Sequence, residues 1–194
     1  HGVEPARHRS TLAIPYPTTK ASMAPNLSED EMMLLATLPQ AIGSCVATAA
    51  GSGLLGTGKE LFASGQAVMA GLKDYPGNAL IQALVPDPSA EDKQAELAQA
   101  RATRDWAMAR LRSKGIHTPA QMAALTLEDA RAVARLLDSR VDPAQAAQYR
   151  AWALSVAEKV AQAATEGGFL GFGGTRLSEA EQALIAQLRE ALGA

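Results

Sequence analysis

Residues 143–166 read PAQAAQYRAWALSVAEKVAQAATE, and the spacing of their apolar side chains decides the fold class. Tyr149, Trp152, Ala153, Val156, Ala157, Val160, Ala161 and Ala164 recur at i, i+3 and i+4, which gathers them on one face of an α-helix. Asp142-Pro143 opens this helix, because proline is tolerated in a first turn whose N–H groups lack intrahelical partners. The glycine-rich stretch 167–174 ends it.

The same pattern extends in both directions. Ser28 with Glu31, Ser89 with Asp92, Thr118 with Gln121, Thr126 with Asp129 and Ser178 with Glu181 all have the spacing of helix N-terminal caps. Pro39 predicts a break, with one helix ending near Thr37 and a second, rich in small residues, running to Ala50. A glycine-rich loop is expected at 51–58, a helix to about Lys73, a turn at 74–78 and a short helix over 79–85. A long helix of about 24 residues follows; acids near its start and Arg110, Arg112 and Lys114 near its end complement its dipole. No strand alternation or hairpin signal is visible. The expected fold is all-α.

Composition agrees. The chain has 194 residues, 47% hydrophobic but only 4% aromatic, with alanine filling the difference. Alanine has the highest helix propensity and lets helices approach closely. Eighteen basic and twenty acidic residues leave a net charge of −2, which gives no basic footprint for nucleic acid. A single cysteine, Cys45, excludes an internal disulfide and points to a reducing compartment. No apolar run reaches the roughly 18 residues of a membrane span. Met23, followed by APNLSEDE, reads as a natural start. Residues 1–22 are then a flexible arm or an added segment, and 23–194 form one helical domain.

An internal echo ties the two ends together. Val46-Ala47-Thr48-Ala49-Ala50 matches Val160-Ala161-Gln162-Ala163-Ala164, and glycine-rich segments follow each. Leu61, Gln66 to Ala70 and Leu72 then match Leu177, Gln182 to Ala186 and Leu188. The expectation is a pseudo-symmetric bundle of about eight helices containing two helix–glycine-loop–helix hairpins.

Those glycine segments also carry the most suggestive motifs. Residues 53–59, GLLGTGK, match the start of the phosphate-binding P-loop, and 51–56 match G-x-G-x-x-G. Both motifs cradle anions at a helix N-terminus after a β-strand. Here Glu60 replaces the hydroxyl residue that would hold Mg²⁺, and 40–50 reads as helix. The candidate ligand or contact residues are therefore Gly53, Gly56, Gly58 and Lys59 in the first segment, and Gly168, Phe169, Gly171, Phe172 and Gly173 in the second. No catalytic, cofactor or metal site is expected. Histidine occurs only at positions 1, 8 and 117, and no Cys/His cluster has metal-ligand spacing. His117 reads as a surface loop residue, Cys45 as a buried thiol, Trp106 and Trp152 as core, and the arginines of 101–112 as a solvated face.

The ending VAQAATEGG (160–168) and LSEAEQALIAQLREAL (177–192) resembles the TerB-like (tellurite-resistance) helical proteins. The likeness covers 156–192 and, less well, 42–72. It implies an all-helical, pseudo-symmetric fold and a link to metal or stress responses at the membrane. The family's acidic turns would fall on the two glycine loops, where this chain has only Glu60 and Glu166. Taken together, the sequence predicts a non-enzymatic interaction or scaffold protein of a bacterial cytoplasm. A protein partner or self-association is expected, with no nucleic acid and no cofactor. Ligand or anion binding at 51–58 and 167–174, or membrane contact through 169–172, are the alternatives.

Overall fold

A computed structural model describes residues 27–49, 53–166 and 177–194, and among these every regular element is an α-helix. There are seven: α1 (Glu29–Ala49), α2 (Gly53–Asp74), α3 (Ala79–Leu84), α4 (Lys93–Ser113), α5 (Pro119–Arg140), α6 (Pro143–Glu166) and α7 (Glu179–Leu192). The expected arm at 1–22 and the second glycine segment lie outside the described residues.

α1 is the hub and packs against all six other helices. Against the expectation that no apolar stretch reaches the length of a membrane span, α1 is long and apolar enough to cross one, yet 61% of its most apolar window is buried within the fold. The core is built mainly where α1, α2 and α6 meet. Gly43 makes the closest approach: a Cβ there would lie 2.8 Å from Ser64 Cβ and 3.1 Å from Val156 Cγ1. Small residues in α1 therefore act as contact surface for two neighbouring helices. Trp152 and Tyr149, both fully buried, meet edge-to-face with centroids 5.4 Å apart.

Three expected boundaries move. The first is Pro39, which lies inside α1 and does not divide it. Proline removes one i→i−4 hydrogen bond, and the carbonyl left without its donor is that of Leu35. The buried Tyr149 hydroxyl donates to that carbonyl at 2.7 Å. The second is Thr126, which caps no helix and sits within α5, donating its hydroxyl to Met122 O at 2.9 Å. The third is the loop drawn over 51–58: the helix already begins at Gly53, so Gly53, Gly56, Gly58 and Lys59 occupy the first turns of α2. Glycine costs a helix only about 1 kcal/mol per residue, and a helix fixed downstream propagates back through such a stretch when no proline intervenes.

Of the other cap signals, three form as expected and one shifts. Ser28 and Glu31 exchange capping-box bonds, as do Thr118 with Gln121 and Ser178 with Glu181. α4 starts after Asp92, whose side chain accepts from Ala95 N, so the cap is Asp92 and not Ser89. Gly115 follows α4 with φ of +65°, a conformation that costs glycine little. α3 is short but pinned: Asn78 caps its start and donates to Gln145 O and Gln148 Oε1, while Gln99 Nε2 donates to Ala83 O at its end.

Candidate functional site

α4 is the least integrated helix. Among the described residues its backbone packs only against α1, and side chains tether it to the rest. Arg110 makes a two-pronged ion pair with Asp129 of α5, one prong being Nε to Oδ2 at 3.2 Å. Lys114 approaches Glu128 at 3.4 Å, and Trp106 Nε1 donates to Asp30 Oδ1 at 3.1 Å. The Arg110 guanidinium also lies 5.5 Å from the centre of the Trp106 ring, within cation–π range. Its bonds to Asp129 raise its already high pKa; it is a permanent cation.

Holding α4 and α5 apart over α1 leaves a cleft of about 440 Å³. Each wall is a helical stripe. α1 contributes Ala36, Thr37, Gln40, Ala41 and Ser44; α4 contributes Ala100, Thr103, Arg104, Ala107, Met108 and Leu111; α5 contributes Met122, Leu125, Thr126 and Asp129. Leu84, Val85 and Pro86 add part of the wall, and Trp106 and Arg110 lie along it. The volume falls in the range of small-molecule sites, as does the makeup of mostly apolar atoms with a few polar groups. The residue types explain the opening. Alanine, serine and threonine stand where larger side chains would have filled the space between helices.

Cys45 lies close by, buried, with Sγ 3.2 Å from Thr126 Oγ1. The threonine hydroxyl also donates to Met122 O at 2.9 Å. Burial pushes the thiol pKa up, and the threonine contact only partly opposes this. That environment suppresses the thiolate needed for nucleophilic chemistry. His117 is exposed at a helix start, its backbone N–H donating to Gln121 Oε1. No group of three or more His, Cys, Asp or Glu that could hold a metal is found among the described residues.

No family model matches this chain, and neither does any curated protein or solved structure.

The residues singled out from sequence fare unevenly. Gly53, Gly56, Gly58 and Lys59 follow a helix where a phosphate cradle requires a strand. Gly168, Phe169, Gly171, Phe172 and Gly173 fall outside the described residues. Trp152 is core as expected, but Trp106 is half-exposed on the cleft wall. Arg110, read as part of a solvated face, is half-buried and paired, and Asp129, read as a capping residue, is its partner. Sequence reasoning missed the cleft because its three stripes come from segments up to about 90 residues apart. The one local signal is the row Ala36, Gln40, Ala41 and Ser44, which shares a face only because α1 runs unbroken through Pro39.

Proposed function

We propose that this protein is a non-enzymatic binding protein and that the cleft between α1, α4 and α5 receives its ligand. The observation that carries the reading is the cleft itself. It is a half-open apolar space of about 440 Å³ whose one buried ion pair is closed on itself, beside a thiol kept protonated by burial. Apolar surface left open to water favours an occupant that removes it.

N-phenyl-1-naphthylamine, a neutral dye that brightens in apolar surroundings, tests the reading. Wild type should give a saturable rise in emission, and Ala107→Phe, which fills the cleft from α4, should reduce it at least fivefold. Equal signals from the two proteins would refute the proposal. Circular dichroism should show the variant folded.

A second reading, self-association, is favoured by Phe62, which is 70% exposed on α2 with Leu61 and Met69 also exposed on that helix. Light scattering across a concentration series tests it: a constant monomer mass rules it out, and Phe62→Ser should lower any higher mass. The internal echo also supports reading α1–α2 and α6–α7 as two related hairpins. With the TerB-like resemblance and a cytoplasmic setting, it belongs to the same proposal.

A further inference from the structure

The cleft's charge points to the kind of ligand, an inference that rests on the cleft being a binding site. Three charged side chains line it: Arg104, Arg110 and Asp129. Arg110 and Asp129 neutralise each other in a mostly buried pair, with side chains 27% and 12% exposed. The remaining charge is Arg104, whose side chain is 69% exposed. Its partner is its own neighbour Asp105, itself 68% exposed, with both hydrogen bonds going to a single carboxylate oxygen. Exposed pairs of this kind hold weakly, so the guanidinium can turn to another anion. Arg101 and Arg112 are exposed too. Their spacing of three before and eight after Arg104 puts them on the same side of α4. The charge on the lining is therefore +1 and sits at one rim, while the walls beneath are apolar.

Size narrows the occupant further. A cleft of about 440 Å³ has the size of a small-molecule site. A flexible alkyl chain fits that space, and the methionines Met108 and Met122 on opposite walls can adapt to it.

We propose that the cleft takes the hydrocarbon chain of a single-chain amphiphile whose anionic headgroup, a carboxylate or a phosphate, rests against Arg104. The protein carries its own reporter, because Trp106 lines the cleft whereas Trp152 is buried in the core.

The full chain is titrated with decanoate, decyl phosphate, decanol and decyltrimethylammonium below their micelle concentrations, following tryptophan emission. Decanoate or decyl phosphate should saturate about tenfold more tightly than decanol, with the cation weakest, as one charge-assisted hydrogen bond would give. Whichever of the two anions binds more tightly identifies the headgroup. Arg104→Gln should bring the anions to the level of decanol and leave decanol unchanged. Trp106→Phe should lose the emission change while calorimetry still detects binding. Decanol and decanoate binding equally, with Arg104→Gln without effect, would overturn the headgroup assignment and leave the cleft reading intact. No binding of any of the four by calorimetry, together with equal dye signals from wild type and Ala107→Phe, would overturn both.

Discussion

Ser64 lies at the tightest point of the bundle, facing Gly43, and its hydroxyl is fully buried without a hydrogen-bond partner. A buried hydroxyl left unpaired costs about 1–3 kcal/mol. Ser64→Ala removes that cost and relieves crowding against Gly43, so thermal unfolding should show an equal or higher melting temperature. Gly43→Ala acts in the opposite sense. Its new methyl meets Ser64 and Val156, and overpacking of this kind destabilises by about 1–3 kcal/mol. Two buried acids set the alkaline limit. Burial pushes the pKa of both Tyr149 and Cys45 up, so the folded protein holds these protons at pH values where the unfolded chain releases them. The stability they contribute is intact at neutral pH and falls as pH rises past their ordinary values of about 8.5–10. Melting temperatures from pH 7 to 11 should decline above about pH 9, and Tyr149→Phe should flatten the part of the decline above about pH 10.

An element-scale dependence links α1 to α6. Pro39 deprives the Leu35 carbonyl of its helical donor, and the Tyr149 hydroxyl supplies another. The two residues lie in different helices but serve one acceptor, so their effects should not add. Tyr149→Phe alone leaves a buried carbonyl unpaired and should cost about 1–3 kcal/mol. In a Pro39→Ala background, residue 39 recovers an N–H that can bond Leu35 O, and the same tyrosine change should cost at least about 1 kcal/mol less. Denaturant unfolding of the four proteins measures the coupling; a coupling of zero would show that the hydroxyl is not the substitute donor. α7 is tied down in a similar way, since Arg150 Nε donates to Leu192 O at 2.7 Å while its other arm pairs with Asp138.

For the whole molecule, stability should be uneven. α1, α2 and α6 share the main core, whereas among the described residues the α4 backbone packs only on α1, and side-chain bonds hold it otherwise. Regions with few buried contacts open at the lowest free energy. Hydrogen exchange should therefore show α4 amides exchanging well before those of α1 and α6. Asp129→Asn, which loses the charge pairing with Arg110, should lower the α4 opening free energy by about 1–2 kcal/mol. Protection in α6 should be nearly unchanged. The helix expected to open most readily also forms one wall of the cleft.

The amino-acid order alone determined the fold class and most helix ends. Capping boxes at Ser28, Thr118 and Ser178, the turn at 74–78 and the apolar face of 143–166 are local patterns, and backbone hydrogen bonding satisfies them locally. Pro39 and Thr126 depart from their usual local meaning because what accommodates them is distant: Tyr149 bonds the Leu35 carbonyl that Pro39 leaves without a donor from 114 positions away, and Cys45 meets Thr126 from 81. The cleft belongs wholly to the tertiary structure. Its volume depends on how far α4 and α5 stand apart over α1, set by the Arg110–Asp129 bridge and the small residues between them. Spacing along a chain fixes which side chains share a face, but the volume left between two faces depends on every helix that packs around them.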